Sequence, residues 1–246
     1  MNQIDKAMED NAQQIDGSEK IILDDDKGEI NKFIKKHHSS VLIKNVSFVL
    51  HSSIARYYFF KGSVKDNSSV LYFAKQVGKI WQAAKRDDPY ADLFLLRIYD
   101  ALSQTKKEIR EKIKHYDEYI KKEIKFVWHM QLNKEPQPIK LYFDLSYGYM
   151  AANLISDFDE LVCLLYSARK LGITFDQSVG DLVAQSGNKI KEAFEWANKW
   201  QKTEVTREDV RQQNEKAKLA YEQMGAVHEQ ILSCQLRAPY APKIIT

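Results

Sequence analysis

Three carboxylates crowd the run Asp87-Asp88-Pro89-Tyr90-Ala91-Asp92, and two imidazoles stand side by side at His37-His38. Carboxylate and imidazole are ligands for a divalent cation, and Asp88 and Asp92 are one helical turn apart, so metal-assisted chemistry is the first reading these residues raise. Nothing in the sequence completes it. No glycine-rich phosphate loop, Cys-His nucleophile pair or His-Glu metal motif accompanies them. Asp88 followed by Pro89 is instead the pattern of a helix start, with the carboxylate capping free N–H groups, Pro89 in the first turn and Arg97 as an ion-pair partner. Cys163 and Cys234 lie far apart and in no Cys-x-x-Cys motif, so neither a disulfide framework, a zinc site nor any cofactor is expected. No residue is assigned a catalytic role.

The second chemistry is recognition of a polyanion. The net charge of +3 conceals a division of the 246 residues into blocks of opposite sign. Residues 1 to 31 hold nine acids against three lysines, net −6, and read as an acidic, flexible tail. Residues 32 to 86 hold eleven cations and one acid, Asp66, net +10. Residues 87 to 246 carry the remaining −1. A solvated helix face normally mixes both signs, as residues 106 to 125 do. A block with one acid among so many cations raises the local potential and attracts a polyanion, most commonly nucleic acid.

The elements that must position these cations follow from periodicity. Val41 to His51 is rich in β-branched residues, and Val46, Phe48 and Leu50 alternate with Asn45, Ser47, Val49 and His51, as in a half-buried strand. Ser52 or Ser53 caps a helix over Ile54 to Phe60 that Gly62 stops. A second helix, capped within Asp66 to Ser69, carries Val70, Phe73, Ala74, Val77, Ile80, Trp81 and Ala84 on one face and Lys75, Lys79, Lys85 and Arg86 on the other. A long helix runs from Tyr90 to about Met130, with a dense apolar face first and a thinner one, Ile109, Ile113, Tyr116, Ile120, Ile124 and Val127, afterwards. Pro136 and Pro138 precede a second strand, 139–145. Three more helices follow: from Tyr147 to a cap at Gly172, from Asp176 to Lys202, and from Thr206 to Cys234, the last a candidate antiparallel partner of the long helix.

The expected fold is mainly α, a multi-helix bundle with a small two-strand β-ribbon element of ribbon-helix-helix type and a long helical hairpin. The organisation is a tail (1–31), a basic strand-helix-helix DNA-binding element (32–86) and a helical domain with a second short strand (87–246) that serves dimerisation or scaffolding, the last two packed as one unit. Two strands make no stable sheet alone, so they pair with each other or with those of a second chain. A two-stranded ribbon fits the major groove of double-stranded DNA. Base-edge contact is therefore assigned to Asn45, Ser47 and His51, with Lys44 nearby. Phosphate contact is assigned to Arg56, Lys61, Lys65 and Lys75 and to the N–H groups that open the second helix at Asn67 to Ser69.

The run from Ile80 through Asp87-Asp88-Pro89-Tyr90-Ala91-Asp92 to Asp100 resembles the AcaB-like family of conjugative plasmids and integrating conjugative elements. Ser47 to His51, Ala55 to Gly62 and Leu154 to Asp159 are similar to that family as well, so the resemblance covers roughly residues 40 to 200. It implies a transcriptional activator of conjugation genes that binds promoter DNA as a dimer through a ribbon-helix-helix type element.

A homodimer in the bacterial cytoplasm, associated with nucleoid or plasmid, is thus expected. With no stretch of about 18 apolar residues, no membrane partner is. The alternative is a helical scaffold of a conjugation system, docking a partner through Ile113, Ile120 and Ile124 without reading bases.

Overall fold

Val46–Phe48 forms β1 and Ile139–Leu141 forms β2, and the two pair antiparallel within the chain, Val46 opposite Leu141, Ser47 opposite Lys140 and Phe48 opposite Ile139. Their inner faces carry the apolar residues, with Ile139 and Leu141 buried, while Ser47 and Lys140 are exposed side by side on the outer face. The computed structural model describes residues 46–60, 69–125, 138–173 and 176–245. The acidic segment 1–31, His37-His38, Lys44, Asn45, Lys61, Lys65, the connector 62–68 and the stretch towards Met130 lie outside the described residues.

After β1 the chain forms α1 (Ser53–Phe60), α2 (Val70–Lys85), α3 (Pro89–Glu123), α4 (Ser146–Lys170) and α5 (Asp176–Lys199). Three short helices close it, α6 (Arg207–Gln212), α7 (Glu215–Met224) and α8 (Glu229–Leu232). This is a mainly helical fold with one two-stranded sheet among the described residues. No helix among them is long and apolar enough to cross a membrane.

The spacing of apolar residues explains the core. In α2, Val70, Phe73, Val77, Ile80 and Ala84 recur at steps of three and four and all are buried, so this face packs against α3, α4 and α5. In α4, Tyr147, Ala151, Leu154, Ile155, Phe158, Leu161 and Leu165 are buried on more than one side, which suits a helix wedged between α1, α2, α3 and α5. Lys170 ends it, and Gly172, at φ 73, lets the chain turn where a side chain would be strained.

The long helix stops at Glu123, and Ile124 takes extended geometry, short of the end the sequence pattern favoured. Its thin apolar face is not free for a partner: Ile120 is buried beside Leu164 and Ala168, with Ile113 and Tyr116 packed alongside. Contacts Phe94–Trp196 and Lys112–Ser186 run in opposite senses along the two helices, so α5 is an antiparallel partner of α3. The segment 206–234, which the stripe Val210, Ala217, Tyr221 offered for that role, is broken instead. Gln213 and Gly225 take positive φ and interrupt it, and Asn214 starts a new helix by accepting from the Ala217 N–H. Val205, Ala217 and Ala220 then gather on Tyr90, at the start of α3.

Candidate nucleic-acid interface

Four expected contact residues fall in the described part. Ser47 is exposed on the ribbon, directly opposite Lys140. Arg56 is exposed on α1, with its guanidinium 5.9 Å from the Phe60 ring centre. Lys75 is exposed on α2. His51 lies beyond the end of β1, half-buried, with its Nδ1 enclosed and its backbone N–H donated to Asp159 at 2.6 Å. The alternation that placed His51 with Ser47 does not extend to it, because the ladder ends at Phe48.

α1 is held beside the ribbon by two devices. Phe59 packs on Phe48, ring centres 5.2 Å apart. At the helix start, Ser52 Oγ accepts from the Ala55 N–H, and the buried Asp159 carboxylate accepts from the N–H groups of His51 and Ser52 at 2.6 and 2.7 Å. A carboxylate at a helix N-terminus satisfies otherwise free donors and opposes the helix dipole. At α2, Ser69 is buried and accepts from the Tyr72 N–H.

The exposed face of α2 is a stripe of Leu71, Lys75, Lys79, Gln82 and Arg86. At 1.5 Å of rise per residue it is roughly 22 Å long. Lys75, Gly78 and Gln82 line a cavity of about 420 Å³ together with Tyr142, Phe143 and Asp144, the residues that follow β2. Tyr142 is 74% exposed. The segment that leaves β2, Tyr142 to Asp144, thus borders the cationic stripe. Reading the sequence alone missed Lys140 and Tyr142. Their alternation with Ile139 and Leu141 marked them as outward, but only strand pairing puts Lys140 against Ser47.

The carboxylate motif is structural. Asp88 caps α3, its Oδ1 accepting from the Tyr90 and Ala91 N–H groups. Asp92 accepts from both Arg207 and Arg237, the latter through bonds of 2.9 and 2.7 Å, and Asp87 accepts from Arg207 at 2.6 Å. Burial pushes the Arg207 guanidinium towards losing its proton, but its bonds to Asp92 and Asp87 outweigh this and hold its pKa above the ordinary value. The ion-pair partner is therefore not Arg97, whose guanidinium stacks over Phe94 and Trp196 at 5.3 and 5.2 Å. A flat cation five residues along the helix from Asp92 finds aromatic faces instead, and the motif's charges are met by arginines from the far end of the chain. Cys163 is equally unsuited to chemistry, since burial pushes its thiol up to about 11.

Similarity to known proteins agrees with this arrangement. The family model described as "Transcriptional regulator AcaB" matches residues 41–245. The crystal structure of selenomethionine-containing AcaB from uropathogenic E. coli shares the fold, with a TM-score of 0.53 at 12% identity, covering 82% of this chain and 100% of that one. No curated relative matches the chain. A family of transcriptional regulators is not an enzyme class, in keeping with carboxylates that are consumed by capping and ion pairing. With the match spanning everything from the ribbon to the C-terminal arginine clamp, the chain belongs to the AcaB family of transcriptional regulators.

Proposed function

We propose that this protein is a sequence-specific activator of conjugative-transfer genes that binds double-stranded DNA as a homodimer and reads the major groove with the β1/β2 ribbon. One observation carries the reading: Ser47 and Lys140 pair on the outer face of the ribbon, and the chain leaving β2 at Tyr142 lines one cavity with Lys75 of the cationic α2 stripe. A ribbon inserted in the groove would bring Ser47 and Lys140 to base edges, while Arg56 and Lys75 meet phosphates on either side. Lys44 and Asn45 immediately precede β1 in sequence, and Lys61 and Lys65 follow α1 in sequence, so all four belong to the proposed contact set. His51 supports it by placing the start of α1. The exposed Tyr57 and Phe60 of α1 favour a second copy docking near the ribbon, since apolar rings at the surface mark association sites.

The test is a salt titration of binding to promoter fragments and to random duplex of equal length. Arg56→Ala and Lys75→Ala are expected to weaken both duplexes alike and to lower the salt slope by about 1 each. Ser47→Ala and Lys140→Ala are expected to cost about 1–3 kcal/mol on the preferred fragment alone. Wild-type protein that binds no duplex at low salt would refute the reading.

A further inference from the structure

On the other side of the α2 stripe, between it and the segment 200–216, runs a groove of about 1130 Å³. Lys75, Lys79 and Arg86 stand on the helix side, and Lys202 and Lys216 on the facing side. Charge counted along the sequence hides this meeting, because Lys202 and Lys216 come from the block that is close to neutral. Of the acids present, Glu204 is paired to Lys202 at 2.6 Å, and Lys202, with Lys216 and Arg86 adding to it, holds that carboxyl below its usual range. The groove is therefore cationic, with apolar wall from Trp200, Ala83 and Val205.

Two of its lining residues have unmet hydrogen-bonding capacity. Trp200 Nε1 and Asp88 Oδ2 are buried without a partner among the described residues, and Thr203 Oγ1, next to both Lys202 and Glu204, is a third such atom. Asp88 is only 2% exposed, and its other oxygen is already occupied by the cap of α3. Buried donors and acceptors are nearly always paired. Of the five unpaired atoms among the described residues, two belong to residues that line this groove, and a third belongs to Thr203, between Lys202 and Glu204 in sequence. The site thus asks for an anion at its rim, a flat apolar group, and an edge carrying both an N–H donor for Asp88 and an acceptor for Trp200.

A duplex backbone meets only the first requirement, because phosphodiesters accept hydrogen bonds and have none to give to a carboxylate. A nucleobase edge alternates donors with acceptors, and a phosphate chain suits several lysines. We propose that the groove binds a nucleoside polyphosphate, its base towards Trp200 and Asp88 and its phosphates towards Lys79, Arg86 and Lys216. The groove shares the α2 stripe with the proposed DNA surface, yet its own evidence, the cations of both walls and the unpaired atoms of Trp200 and Asp88, does not rest on the DNA reading.

The test titrates the full-length chain with ATP, GTP and inorganic tripolyphosphate by calorimetry and thermal shift, alongside duplex binding. The expected result is saturable binding of at least one nucleotide, with tripolyphosphate clearly weaker. The double variant Lys79→Ala/Lys216→Ala should lose tenfold or more in nucleotide affinity with unchanged circular dichroism. Trp200→Phe, which keeps a ring but removes the N–H, should weaken the nucleotide and leave tripolyphosphate unaffected. Tripolyphosphate binding as tightly as the nucleotides would overturn base recognition. Absence of nucleotide binding in a chain that still binds duplex would overturn the proposal while leaving the DNA reading intact.

Discussion

Asp92 and Arg207, 115 positions apart, meet as a buried pair in which the carboxylate and guanidinium are nearly inaccessible to solvent. Arg237 closes on the same carboxylate, and Asp87 on the same arginine, so two acids balance two cations. The clamp also bonds the chain's last helices, since Arg207 donates to the Ile231 carbonyl at 3.2 Å. Asp92→Asn leaves the two guanidinium groups with one acid and is expected to cost about 3–5 kcal/mol. If the clamp acts as a unit, Arg237→Met in that background should cost less than Arg237→Met alone, with a coupling of about 1–3 kcal/mol in urea unfolding. Additive effects would contradict it.

Asp159 does for α1 what Asp88 does for α3, but from another helix. Its carboxylate is 2% exposed and takes two backbone donors, the His51 and Ser52 N–H groups. Asp159→Ala strands both and is expected to cost about 2–3 kcal/mol, since hydrogen bonds to charged groups exceed neutral ones. Because β1 leads into this cap, amide exchange at Val46 to Phe48 should accelerate more than exchange in α5. Uniform acceleration would mean that Asp159 supports the whole fold rather than the ribbon.

What the sequence revealed and what it hid divide along one line. The α2 core face, the Asp88 cap, the two strands and the Gly172 turn were legible because each depends on residues within a few positions of one another. The strand partner, the identity of the helix opposite α3 and the arginines that answer Asp92 were not, because they depend on contacts across the chain. Arg97 was the wrong partner for the same reason: sequence proximity favoured it, while Phe94 and Trp196 offered its flat cation a better surface. The continuous stripe through Val210 and Tyr221 suggested one helix, yet the left-handed Gln213 and the Asn214 cap divide it. Lys202 and Lys216 escaped notice because charge counted in blocks dilutes cations that folding brings together.

Gly187 of α5 sits directly against the Tyr58 side chain of α1. A Cβ built there would lie 2.8 Å from the Tyr58 ring carbon that bears the hydroxyl, inside any real contact. Tyr58 cannot move freely, since its ring is packed edge-on against Phe158 at 5.4 Å. Gly187→Ala is expected to destabilise by about 1–3 kcal/mol, as overpacking does. Tyr58→Phe removes the atom nearest to the added methyl group, so the double variant should recover part of the loss. No recovery in thermal unfolding would place the strain elsewhere.

Asp88 makes stability depend on pH in a direction opposite to a paired carboxylate. Burial pushes its pKa up to about 6, against the pull of the Ala91 and Tyr90 N–H groups, while Asp92 adds to the rise. The folded protein therefore holds this proton more tightly than the unfolded chain, whose aspartate titrates near 3.8. The resulting stability is fully present below about pH 4 and is lost as pH rises through about 6. Asn at this position keeps an oxygen for the α3 cap but has no proton to release. Relative to Asp88→Asn, the wild type should lose about 2–3 kcal/mol between pH 4 and pH 6.5. Parallel stability curves for the two proteins would show that the Asp88 carboxyl is as acidic folded as unfolded. Loss of the pH difference on adding a nucleotide would instead show that the free oxygen has found its donor.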